Sequence, residues 1–389
     1  MPRSDLPRDA RPATRRSRRI ARAGWLAFLA ALPFSIAGSQ IALTACGAAA
    51  VAALAFSGRR PPRPPLWWPV GIFLGVSLLS IAGSEEPARS LRDLRGLVLL
   101  ATLWLPLLLV RSESDILGSM RVACVAGTLL AAVALAQYWA GPGGLEGRLT
   151  GYHHWLTTAG QLMILWLLVL ARLLLGGAQR RWPWFASLAL LSAALAFGFA
   201  RSAWLGAAAG AGFLLLRRRS RWAWIAAAVG LIVLLSVPAL RGRLLGLGDV
   251  DDPSVRNRLA QLVSGAQMVR DHPLLGVGPN RASRVYPLYR RDWAPEPQAP
   301  HLHNNVATVA AERGLLGLTA WIVWMIAALR GLWLGARGAA IARWPLEGAL
   351  AALIAFLVAG LFEYNFGDSE ILMLIYPLMA LPAAARRCA

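Results

Sequence analysis

The sequence predicts an all-α polytopic membrane protein of about twelve transmembrane helices, interrupted by one large extramembrane loop that carries short helices. Three observations lead there. Hydrophobic residues make up 57% of the 389 positions, charged residues only 15%, and there are seventeen tryptophans; no globule of that size covers so much hydrocarbon. The apolar residues fall in runs of spanning length. All forty basic residues are arginine, most of them in short clusters between those runs, which is the pattern that orients a membrane protein. The same clustering excludes the nucleic-acid partner that a net charge of +21 would imply for a soluble chain.

Residues 1–23 read as a basic cytoplasmic tail. The apolar stretch behind them lacks a small-residue cleavage site, which predicts a retained signal anchor. Nine spans are expected within 24–239, near 24–39, 41–57, 66–82, 96–110, 116–139, 155–173, 183–200, 202–216 and 222–239. Only Ser39 and Gln40 separate the first two. A single helix over both would be about 50 Å long against a hydrocarbon core of about 30 Å, so a hairpin fits better, and it puts the cluster from Arg15 to Arg22 on the same side as Arg59, Arg60 and Arg63. A loop at 240–313 follows, then spans near 314–330, 346–362 and 370–385, and a short cytoplasmic tail at 386–389. This topology puts twenty-five of the forty arginines inside and nine in the stretch 240–302 of the long loop, a length largely exempt from the charge rule. With Pro295, Pro297, Pro300 and few acids, that loop suits an anionic ligand outside the cytoplasm, the alternative being contact with lipid headgroups. Cys46, Cys124 and Cys388 have neither metal-site nor disulfide spacing.

Three stretches carry chemistry, all on the outer face in this topology. Arg201 stands between two apolar helices with almost no loop, where a guanidinium needs an interface or an anionic partner. Residues 254–270 predict a helix capped by Ser254, with Leu259, Leu262, Val263, Ala266 and Val269 on one face against the membrane surface and Arg258 or Arg256 pointing inward. Gly276-Val277-Gly278-Pro279 behind it is a tight turn rather than a phosphate loop, and His272 a turn residue before proline. The third stretch, His301-Leu302-His303-Asn304-Asn305, leads to Gly314-Leu315-Leu316-Gly317 at the start of a membrane helix.

A His-Asn pair, nine residues, then Gly-x-x-Gly resembles the O-antigen ligase and polymerase superfamily, with His303, Asn304, Gly314 and Gly317 satisfying the pattern without a gap. The His272-to-Gly278 segment and the lone Arg201 look like the same superfamily's other marks. The resemblance implies a membrane glycosyltransferase fold of the GT-C type. It also implies a metal-independent, inverting transfer of a glycan from undecaprenyl diphosphate to a lipid A-core hydroxyl, on the periplasmic side of a bacterial inner membrane. Carried onto this chain it makes His303 catalytic and Arg201 and Arg258 diphosphate-binding, with Arg256 the competitor for Arg258 and Asn304, Arg148 and His301 in support. No cofactor or metal is implied; Glu85 with Glu86, and Asp251 with Asp252, form no acidic cluster for magnesium. The residue chemistry agrees. Guanidinium forks stabilise charge growing on a departing diphosphate, and an imidazole with an ordinary pKa near 6.5 can take a hydroxyl proton at neutral pH.

Other outer-loop residues, namely Tyr152, His153, His154, Arg89, Arg92 and Arg95, read equally well as interfacial anchors. Glu312 and Arg313 predict a local salt bridge at the membrane boundary, and Glu363, Asn365 and Asp368 form no more than a possible acceptor rim. Competing functions are a polymerase or a protein O-oligosaccharyltransferase of the same superfamily and, from another class, a twelve-helix transporter or flippase. The last requires a polar path through the bilayer away from His303.

Overall fold

The computed structural model describes residues 12–388 apart from 59, 93–95, 97–98, 142–148, 178–180, 239–240, 243–251 and 339–342. Every regular element among them is helical. The chain opens with α1 (Pro12–Ala31) and α2 (Ile36–Ser57), then α3 (Trp67–Ala82), α4 (Pro87–Arg92), a 3-10 turn at Leu99–Leu103 and α5 (Leu105–Leu109). Next come α6 (Glu113–Ala140), α7 (Trp155–Leu175), α8 (Trp182–Phe197), α9 (Arg201–Arg218) and α10 (Arg221–Ser236). Two extramembrane-type helices, α11 (Pro253–Asp271) and α12 (Ala282–Tyr289), precede α13 (Asn305–Gly338), α14 (Arg343–Ala359) and α15 (Ser369–Ala385).

Four of these, α2, α6, α7 and α13, are long and apolar enough to cross a membrane, and α3, α8, α15 and the 99–109 stretch are shorter apolar helices. The chain is a multi-pass membrane protein. The expected count of about twelve spans is met only in part, and two departures have plain causes. The first hairpin turns at Leu32–Ser35 and not at Ser39–Gln40: Pro33 cannot continue a helix, and the Ser35 hydroxyl accepts the Gly38 N–H as an N-cap. Ser39 sits inside α2, its hydroxyl satisfied by the Ile36 carbonyl at 2.8 Å. The run at 96–110 is not one helix. Pro106 removes a donor there, and the Trp104 indole donates to the Pro62 carbonyl at 2.8 Å, so the chain breaks into a 3-10 turn and α5.

The centre of the bundle is α7, α14 and α15, apolar on nearly every side and buried accordingly. Along α7 and α14 packs α9, whose far end is held by Arg217 gripping the fully buried Glu347 at 2.6–3.1 Å. The near end of α9 begins with Arg201, so this packing fixes where that guanidinium emerges.

A second positioning device is the kink in α13. Gly314 has φ 66° and ψ −172° inside the helix, which frees the hydrogen bonds that would normally close across it. The segment 273–278 takes them. Val277 and Gly278 donate N–H groups to the Ala311 and Glu312 carbonyls at 2.9 and 3.0 Å, while Leu315 donates to the Pro273 carbonyl at 2.8 Å and Leu316 to that of Leu274 at 3.4 Å. Ser80 on α3 closes the joint by donating to the Leu275 and Glu312 carbonyls. A Cβ on Gly314 would lie 2.1 Å from the Leu274 carbonyl oxygen, and one on Gly317 would lie 2.2 Å from the Arg313 Cβ. The Gly-x-x-Gly motif and the Gly276-Val277-Gly278 turn are therefore two halves of one backbone junction. Arg313 and Glu312, paired at 2.9 Å and buried beside it, form the local salt bridge expected from the sequence.

Candidate functional site

Short local devices present each side chain at one end of the bundle. Asn304 caps α13: its side-chain oxygen accepts the Ala307 N–H at 2.9 Å, and its amide donates to the Leu361 carbonyl at 2.8 Å. Buried Asn305 donates to Asn365 at 2.6 Å and accepts from the Phe366 N–H at 3.0 Å. These bonds lock the His301–Asn305 loop to the turn between α14 and α15. They bring Glu363 against His303.

His303 adopts a left-handed backbone, φ 46°, and its Nδ1 lies 2.9 Å from both oxygens of Glu363. An ionised carboxylate only accepts, so Nδ1 carries the hydrogen and Nε2 is left as a proton acceptor. His301 meets His303 edge to face with ring centroids 4.2 Å apart, its Nε2 is 3.6 Å from Glu363, and its Nδ1 accepts the His303 backbone N–H. Arg258 approaches the same carboxylate at 3.9 Å. Burial opposes the charge on Glu363, but the hydrogen bond from His303 and the nearby Arg258 guanidinium hold it below the ordinary carboxylate value. Burial also pushes His301 down to about 4, which leaves it neutral at physiological pH, and lowers the Arg258 guanidinium.

Arg201 pairs with Asp252 at 3.1 Å. Asp252, not Ser254, is the N-cap of α11, accepting the Ser254 N–H at 2.8 Å, with Pro253 in the first turn. The two expected arginines and the histidine do meet. Arg201, Arg258 and His303 line one cleft of about 140 Å³, together with Ser254, Asn257 and Glu296. Arg256 does not join them: it is exposed and reaches the Trp293 carbonyl at 3.5 Å. Beyond His303 lies a larger cavity of about 680 Å³, walled by Glu363, Asp368, Glu296, Thr157, Asn280 and Ser283. His303 and Glu296 border both spaces.

Three stretches now account for one site. Residues 185–322 match the family model described as O-antigen ligase. The matched segment contains Arg201, α11, His303 and the Gly314 junction. No curated protein matches the chain.

The remaining sequence candidates are distributed as follows. His154 lines the larger cavity, and His153 lies 4.0 Å from Glu370 and 3.3 Å from the Leu32 carbonyl. Arg148, Arg95 and the side chains of Arg89 and Arg92 lie outside the described residues. His272 is the exposed C-cap residue just beyond α11, its backbone N–H donating to the Met268 carbonyl. On α11 the protein-facing residues are Asn257, Ala260, Gln261, Ser264, Gly265 and Met268, so Leu259 and Leu262 point outward.

Sequence reasoning missed the acids. Glu363 was no more than a rim residue and Asp252 a turn residue, yet each contacts an expected functional cation. The available signal was a carboxylate in a short loop on the histidine's side of the bundle. His301, His303 and Glu363 also bring potential metal-ligand atoms within 4.8 Å of one another. The His303 N–H and Arg258 already serve that carboxylate.

Proposed function

We propose that the chain is an O-antigen ligase, transferring a glycan from undecaprenyl diphosphate to a lipid A-core hydroxyl by metal-independent, inverting glycosyl transfer. It works at the periplasmic face of the inner membrane, with both termini cytoplasmic, residues 24–239 and 314–385 holding the spans and 240–313 the periplasmic loop. One observation carries the reading: His303 stands between a small cleft bearing two arginines and a larger cavity bearing carboxylates and hydroxyls.

In this mechanism Arg201 and Arg258 bind the diphosphate, and the acceptor sugar occupies the larger cavity. The acceptor hydroxyl attacks the anomeric carbon from the face opposite the diphosphate, and a new C–O bond forms as the bond to the phosphate oxygen breaks. Nε2 of His303 takes the hydroxyl proton. Glu363 holds the tautomer and stabilises the imidazolium, as a buried carboxylate does behind a catalytic histidine. The guanidiniums stabilise charge that is larger on the departing diphosphate than on the bound donor, so they lower the barrier rather than only tightening binding. The reading gains against transport from the packing of the bundle centre, where Leu162, Met163, Leu167, Phe356, Leu353 and Met379 are buried.

The test is reconstitution in proteoliposomes with a carrier-linked glycan and lipid A-core. Label should pass to lipid A-core, and a chelator should leave the rate unchanged. Elongation of the carrier-linked glycan with no labelled lipid A-core would assign the polymerase reaction instead, and labelled protein would assign the oligosaccharyltransferase reaction.

A further inference from the structure

At the end of the bundle remote from His303 the structure contains a second recess, of about 240 Å³. Its rim is basic: Arg18, Arg19 and Arg22 on α1, Arg60 beyond α2, Arg111 before α6 and Arg387 beyond α15. Among the described residues that line it, Asp115 is the one carboxylate, and it is paired with Arg22 at 2.6 Å. Arg387 donates to the Leu107 carbonyl at 2.6 Å, fixing the last turn of the chain against α5. The inner wall is apolar, made by Ala50, Ala53 and Leu54 of α2.

Its depth in the membrane follows from two helices. Asp368 at the start of α15 borders the cavity beside His303, and Arg387 lies nineteen positions later, about 28 Å along a helix. The Leu32 carbonyl at the end of α1 meets His153 and Gln161, and Arg18 is fourteen positions earlier, about 21 Å. Those spans compare with a hydrocarbon core of about 30 Å, which puts the recess at headgroup level on the opposite membrane surface. Val51 and Phe56 are exposed on α2, one on either flank of the helix face that lines the recess.

We infer that this recess binds the phosphate of an anionic phospholipid, with the headgroup among the arginines and an acyl chain along α2. The argument is chemical. Guanidinium forks match phosphate oxygens, a basic pocket between membrane helices is the recurring form of an anionic-lipid site, and an apolar wall opening onto an exposed apolar helix face suits a tail that a free phosphate lacks. This site is independent of the reaction at His303.

The experiment uses the full chain in nanodiscs and detergent, with lipid retention read by native mass spectrometry. Phosphatidylglycerol should be retained over phosphatidylcholine, and Arg19→Gln with Arg60→Gln should weaken that preference about thirty-fold. Should that pair fail to fold, Ala53→Leu fills the recess without touching a charge and should also abolish retention. Equal retention of the two lipids, or a preference unchanged in a folded variant, overturns the proposal. Inorganic phosphate that competes the lipid away at equal concentration overturns the role of the tail and leaves a simple anion site.

Discussion

The two spaces that meet at His303 differ in charge and in size. The cleft is small and holds two arginines whose partners, Asp252 and Glu363, are contributed by distant segments; the cavity is several times larger and is lined by carboxylates, hydroxyls and an asparagine. On the proposed mechanism such a division would sort the two substrates: the arginines would hold the diphosphate, and a hydroxyl-rich sugar would find hydrogen-bond partners in the larger space.

Variants can break that division in a graded order. His303→Ala removes the imidazole that borders both spaces and should abolish transfer, by about a thousand-fold or more, in protein that still inserts and melts normally. Arg201→Ala and Arg258→Ala should each lower kcat by about a hundred-fold or more, with Arg201→Lys recovering little because a point charge cannot reproduce the fork. Arg256→Ala, two positions along the same helix, should stay within about two-fold of the parent; an equal loss at 256 and 258 would mean that the cleft has been assigned the wrong arginine. Glu363→Gln should reduce kcat by about a hundred-fold with little change in donor KM, read in steady-state transfer assays.

A smaller effect than those of the catalytic histidine and the cleft arginines belongs to the cavity. Burial and neighbouring Glu370 raise the Asp368 carboxyl, which accepts from Thr157 at 2.6 Å. A carboxyl whose folded pKa is raised loses stability as pH climbs from its unfolded value through the folded one. Asp368→Asn should therefore raise the melting temperature at pH 8 and leave it unchanged at pH 4. Its acceptor KM should rise by roughly ten-fold, with donor KM unaffected.

What could be read from the sequence was whatever is encoded locally. Arg201 betrays itself by standing alone between apolar helices, and His303 by its spacing to Gly314. The choice between Arg256 and Arg258 is a matter of helical phase: two residues turn by about 200°, so only one of them faces the cleft, but the phase itself is set by packing against α13. Glu363 and Asp252 were illegible because they lie sixty and fifty-one positions from the residues they serve, and nothing local marks a carboxylate as a partner. The turn of the first hairpin was misplaced because Ser39 and Gln40 are the most polar pair in that run, whereas Pro33 and the Ser35 cap decide the backbone.

The stub of α13 ahead of its kink acts as a ruler. Nine residues, Asn305 to Arg313, measure two and a half turns, about 13 Å, between a fixed junction at Gly314 and the imidazole that precedes them. One residue added there would swing His303 by about 100° and carry it off its carboxylate, and one removed would swing it the other way. The interval between the two halves of the motif is therefore a rotational setting, which explains in mechanical terms why its length can matter as much as its composition.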